Sequence, residues 1–195
     1  LGVGIHLTLT WGVPVLSSEK VGSLVNQEGS FLSLGKVTLN SLIRKIDPEQ
    51  LYQEWSAQIE KVIKAGICPT HLDTHHHMHL LPICFSTIMK LSEYYKIAYV
   101  RKPRESLNLR TERLLKLIIF RLLCMRSWSQ KHSDQFYGLS LQNKNDSLEG
   151  LKNILKNIPN GLTELMVHPG MVDQDLLNID SMCHERENEL AVLCD

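Results

Sequence analysis

The sequence predicts an α/β protein built on a mainly parallel sheet, and three observations carry that reading. Short runs with strand-like alternation are followed by longer runs with helical spacing, the order expected of βα units. Several strand-like runs end on a polar or charged residue: His75, Arg101 and His168. In barrels of this kind the carboxyl ends of the strands carry the chemistry. Proline, glycine and cap residues punctuate the runs where such units need turns.

Val3, Ile5, Leu7 and Leu9 alternate with Gly4, His6, Thr8 and Thr10, which has the period of a β-strand. Residues 11–46 carry Gly12, Pro14, Gly22, Gly29 and Gly35 among short apolar groups and read as a long, lid-like loop. Asp47-Pro48-Glu49-Gln50 then has the form of a helix start. Leu51, Trp55, Ile59, Val62 and Ile63 make its apolar face, and Gly66 ends it. A histidine-rich segment follows between Pro69 and Pro82. A helix fits residues 82–95, with Phe85, Ile88, Met89 and Leu91 inward, and Ile97 to Val100 reads as a strand. Helical patterns recur over 111–125 and 147–158, a strand is expected over Leu165 to Val167, and a polar helix over 184–193. Residues 1–195 are expected to form a single domain.

Lysine plus arginine (21) balance aspartate plus glutamate (21), which argues against nucleic acid or an anionic membrane as partner. The five cysteines are scattered without a C-x-x-C pair, so a cytoplasmic location is expected rather than a disulfide framework. No run reaches the roughly 18 apolar residues of a membrane span. Leu114 to Met125 comes nearest, and Lys116 and Arg121 interrupt it.

Five of the nine histidines fall in Pro69–His79, together with Asp73. Imidazole is the commonest protein ligand for transition metals near neutral pH. On a strand His71, Asp73 and His75 would share one face, with His76 on the other. A solvated histidine-rich loop is the alternative to a site; an artificial tag fits less well, because the segment is internal and carries Leu72, Asp73 and Met78. A metal needs donors from more than one strand, and His6 with one or two of His71, Asp73 and His75 could supply most of a set. Asp73 could instead orient a ligand histidine. Arg101 could clamp a polar substrate or form a surface salt bridge. His168, before Pro169-Gly170, could protonate a leaving amine or simply occupy a turn.

Gly4-Ile5-His6-Leu7-Thr8-Leu9-Thr10 with Gly12-Val13-Pro14, and Pro69 through His79, resemble the two signatures of the YdjC-like carbohydrate deacetylases, which include the chitooligosaccharide deacetylases. Arg101, Asp134-Gln135-Phe136-Tyr137-Gly138 and Val167-His168-Pro169-Gly170 fit as well. The resemblance implies a deformed (β/α) barrel of the glycoside hydrolase/deacetylase type that removes acetyl groups from N-acetylated amino sugars. It implies a divalent metal, Mg2+ or Zn2+, with His6 and His75 as ligands, His168 as the acid, and Arg101 and Asp73 toward the substrate. A homodimer is allowed for. The family's third ligand and base come from an Asn-Ala-Asp-Asp-Phe-Gly type motif that this sequence does not contain. The expectation is therefore an incomplete barrel, lacking its first strand or strands and its carboxyl-terminal end. Two alternatives stay open: a catalytically inactive relative that binds sugar or metal, and a different metallohydrolase barrel acting on phosphate esters or cyclic amides.

Overall fold

The first strand, β1 (Val3–Leu7), forms where the sequence alternates; Ile5 and Leu7 are buried and His6 is exposed. The computed structural model describes residues 1–105, 114–139, 147–179 and 183–194. Residues 11–46, expected as a loop, contain a helix. The Asn26 side chain accepts from the amides of Glu28 and Ser30 to close a turn. Helix α1 (Leu34–Leu42) then follows. Its start is hard to read because Ser33 makes no side-chain cap bond, and the β-branched Val37 and Thr38 are weak helix formers.

Helix α2 (Pro48–Lys64) begins as expected, with the Asp47 side chain accepting from the amides of Glu49 and Gln50. Gly66, at φ +83°, ends it in the left-handed region. Leu51, Trp55 and Ile59 are buried, but Ile63 is exposed, so the inward face stops a turn early. Glu54 is also fully buried. Its carboxylate accepts from the amides of Val15 and Leu16, at 2.9 and 3.0 Å, and from Gln58 Nε2. Trp55 Nε1 and Gln58 Nε2 donate to the Thr8 carbonyl, while the Thr8 amide donates to Gln58 Oε1. One helix face thus pins both the end of β1 and the segment beyond it.

Next come β2 (Pro69–Thr74), a 3-10 turn (His75–Leu80), α3 (Pro82–Tyr94) and β3 (Tyr99–Val100). The strands pair in parallel in the order β1-β2-β3. Leu7, Leu72 and Val100 are fully buried on one side of this sheet. Helix α3 buries Cys84, Thr87, Ile88, Leu91 and Ser92, whereas Phe85 and Met89, expected inward, are half-buried. With Met125–His132 these elements form one compact unit, Leu1–Arg101.

The second unit holds α4 (Leu114–Leu123), β4 (Gln135–Tyr137), α5 (Ser147–Lys156), β5 (Thr163–Leu165), α6 (Gln174–Ile179) and α7 (Cys183–Cys194). The expected start of α4, residues 111–113, lies outside the described residues. Strands β4 and β5 pair in parallel. β5 forms two residues before the expected 165–167 because its register is set by β4, with Gln135 opposite Thr163. Phe136, Leu139 and Met166 are the buried cluster, with Phe120 packed on it. Buried Glu105 accepts from the Leu139 amide at 2.7 Å. Neither β4 nor α6 is expected from the sequence, being only three and six residues long. No described helix is long and apolar enough to cross a membrane.

Glu54 provides a test of this framework. Glu54→Ala strands two backbone amides and should lower unfolding stability by about 2–4 kcal/mol in urea titrations. Lys64→Ala, which removes an exposed pair with Glu60 at 3.2 Å, should change it by no more than about 0.5 kcal/mol.

Candidate functional site

Strand register builds the site. His6 on β1 lies opposite Asp73 on β2. The β2–β3 pairing, His71 with Tyr99 and Leu72 with Val100, carries Arg101 alongside Asp73. The three residues therefore form a row at the carboxyl ends of three parallel strands, on the face opposite Leu7, Leu72 and Val100. His6 Nδ1 and Asp73 Oδ1 are 2.9 Å apart, and Arg101 Nη1 is ion-paired with Asp73 Oδ2. Asp73 and Arg101 are largely buried, while the His6 side chain is 53% exposed. An ionised carboxylate only accepts, so His6 donates from Nδ1 and leaves the Nε2 lone pair facing outward.

Burial is the strongest influence on the Asp73 carboxyl and would raise its pKa. The hydrogen bond from His6 and the charge of Arg101 outweigh it, and the group sits below the usual carboxylate range.

His75 reaches the same place one residue past the strand. Alternation carries it to the face of Asp73: β2 ends at Thr74, whose backbone is still extended at φ −138° and ψ 147°, and His75 opens the 3-10 turn. Its Nδ1 still comes within 3.4 Å of His6 Nε2, with the rings near perpendicular at 82°. His76, expected on the opposite face, instead sets its ring 3.9 Å from that of His75. The reason is backbone: His76 and His77 both take positive φ, 55°, which breaks the strand alternation. Thr74 closes the turn, its Oγ1 accepting from the His79 amide at 3.0 Å and lying 2.6 Å from His79 Nδ1.

His71 stands on the Asp73 face two residues earlier. Its ring fills the space over Gly4, where a Cβ would come within 2.1 Å of Nε2, and it does not join His6 and His75. His168 belongs to the second unit, just beyond β5, where its amide donates to the Glu189 carboxylate of α7. Among the residues the sequence singles out, the structure therefore gathers His6, Asp73, His75 and Arg101. It adds Thr74, His76 and His79, whose only sequence signal is their place in the histidine segment.

The pair His6 and His75 fits a metal as two of its donors. A nitrogen–nitrogen separation of 3.4 Å is long for a hydrogen bond. It is also the edge of a tetrahedron whose metal–nitrogen bonds are about 2.0–2.1 Å. Among the described residues, no group of three His, Cys, Asp or Glu side chains is assembled to hold an ion. Other donors would have to be water or substrate, or come from outside these residues.

His79, fully buried beneath the turn, gives a pH test. Burial pushes its pKa down from 6.5 to about 4. Below pH 6.5 the unfolded chain takes up a proton that the folded chain refuses, so stability falls as pH drops from about 6.5 to about 4. Below that the contribution is constant, and above pH 6.5 it vanishes. The loss should be about 2–4 kcal/mol across the window. His79→Gln, which cannot titrate there, should flatten the slope of urea midpoint against pH by that amount.

A family model described as YdjC-like protein matches residues 1–195. A carbohydrate deacetylase of Oceanobacillus iheyensis is 36% identical over all of this chain and 73% of its own length. One from Geobacillus stearothermophilus is 34% identical over all of this chain and 68% of its own length. A crystal structure of an Enterococcus faecalis V583 protein, provisionally described as a cellobiose-phosphate cleavage protein, is also similar. It superposes with a TM-score of 0.72 at 26% identity, over all of this chain and 70% of that one. The parallel strands, the histidine site and these matches together establish that the chain belongs to the YdjC-like family.

Proposed function

We propose that the chain acts as a metal-dependent hydrolase that removes acetyl groups from N-acetylated amino sugars or chitooligosaccharides. The observation that carries this is the pair of imidazole nitrogens, His6 Nε2 and His75 Nδ1, 3.4 Å apart at the ends of parallel strands. The carbohydrate deacetylase names of the relatives support the substrate class. Parallel pairing of all the named strands supports the expected deformed (β/α) barrel.

In this reading His6 and His75 hold a divalent ion, and two nitrogen donors suit Zn2+ on ligand softness better than Mg2+. The ion would supply Lewis acidity toward an amide carbonyl and toward water. Asp73 keeps His6 in the tautomer whose Nε2 is free to donate its lone pair, and Arg101 keeps Asp73 ionised. We assign those two residues to orienting the ligand before any direct part in holding the sugar. His168 is assigned the proton delivered to the departing amine.

A non-catalytic reading competes, favoured by the lack of a third metal-holding side chain among the described residues. In that reading the pair binds an ion or a sugar without turnover.

Acetate release from N-acetylated chitooligosaccharides with Zn2+ or Mg2+ tests both. His6→Ala or His75→Ala should abolish metal-dependent release. Asp73→Asn should weaken metal binding about 10–100-fold, and His168→Ala should slow turnover by about 100-fold or more while leaving binding intact. Metal binding that depends on His6 and His75, without acetate from any acetamido sugar tried, would favour the non-catalytic reading.

A further inference from the structure

We propose that Thr10 and His76 form a positioning pair that fixes the ring of His75, an inference that rests on reading His6 and His75 as metal donors. His76 and His77 are consecutive non-glycine residues at φ 55°. Such backbone costs about 1–3 kcal/mol per residue and persists only where the surroundings hold it. At His76 the core does not explain the cost, because the residue is exposed.

The left-handed turn does bring about one thing: it folds the His76 ring back onto His75, with centroids 3.9 Å apart and planes at 45°. Thr10 holds it there. Its Oγ1 and His76 Nδ1 are 2.9 Å apart, and Thr10 is only 8% exposed. Thr10 lies three residues beyond β1, on a segment whose Thr8 main chain is fixed by Trp55 and Gln58 of α2. The segment that carries His6 therefore also carries the residue that steadies His75.

His75 needs such support more than His6 does. His6 sits on a paired strand and is oriented by Asp73, whereas His75 stands on a turn. Rotation about its χ2 would replace Nδ1, the atom facing His6, with a ring carbon that cannot ligate. A neighbouring ring 3.9 Å away, itself tied to Thr10, blocks that rotation.

The test follows ring-to-ring nuclear Overhauser contacts between His75 and His76, together with Co2+ affinity by calorimetry, in Thr10→Val, Thr10→Ser, His76→Ala and His75→Ala. Thr10→Val keeps the side-chain shape and removes the hydroxyl. It should erase the ring contact and weaken Co2+ binding about tenfold or more. Thr10→Ser should restore both, which a purely packing role for Thr10 would not do. His76→Ala, an exposed substitution, should weaken Co2+ binding to the same extent. Wild-type affinity with the ring contact intact in Thr10→Val, or wild-type affinity in His76→Ala, would overturn the proposal. If His75→Ala binds Co2+ like the wild type, the metal reading fails instead. The ring contact in Thr10→Val then decides: its loss supports positioning and its persistence refutes it.

Discussion

A nearly buried carboxylate, Asp73, sets the terms for everything around it. At 6% exposure it has lost most of its water. An ionised group there is tolerated only when its partners replace that water. His6 and Arg101 do so from the strands on either side, one through Nδ1 and the other through its guanidinium. Register and electrostatics are thus two views of one constraint. A one-residue slip of either neighbour would turn its polar side chain to the apolar face and strand the charge. The third strand has only two residues, so its ladder alone fixes little, and the ion pair supplies part of what pairing cannot.

The same carboxylate decides what His6 can do. By accepting the hydrogen bond from Nδ1–H it keeps the proton on that nitrogen and leaves Nε2 as a lone pair directed away from the sheet, toward His75 Nδ1. The two rings meet edge to face and are held by unlike means. One is fixed by sheet pairing and a buried charge. The other rides on a strained turn closed by Thr74 and His79. A site built this way has one wall held by the sheet and one held by side chains of the turn and of the segment after β1, so the second depends more on its neighbours.

Much of the first unit was legible in the sequence because its signals are local. Alternation at Val3–Leu9 marks a strand, and Asp47-Pro48 marks a helix start whatever lies elsewhere. His6 could be singled out because it is the titratable group in the polar phase of an alternating strand. What escaped depends on distant partners. The Glu54 carboxylate satisfies amides 38 and 39 residues away, and nothing near Glu54 announces it. Helix α1 lacks the cap bond that would have flagged it. The register of β5 is imposed by β4, a strand too short to carry a period of its own. His75 was identified because alternation puts it on the face of Asp73; Thr74 stays extended at φ −138° and ψ 147°, so that phase carries on to His75, and the backbone reverses only after it, at His76.

That reversal bears on how the ring of His75 is held. Asparagine or glycine would hold the left-handed backbone of His76 at lower cost. Packing does not require an imidazole there, since the residue is exposed. The strain is coupled to the ring, whose contacts include the Thr10 hydroxyl and the ring of His75. The local energetics therefore link the left-handed turn at His76 to the placement of the His75 ring.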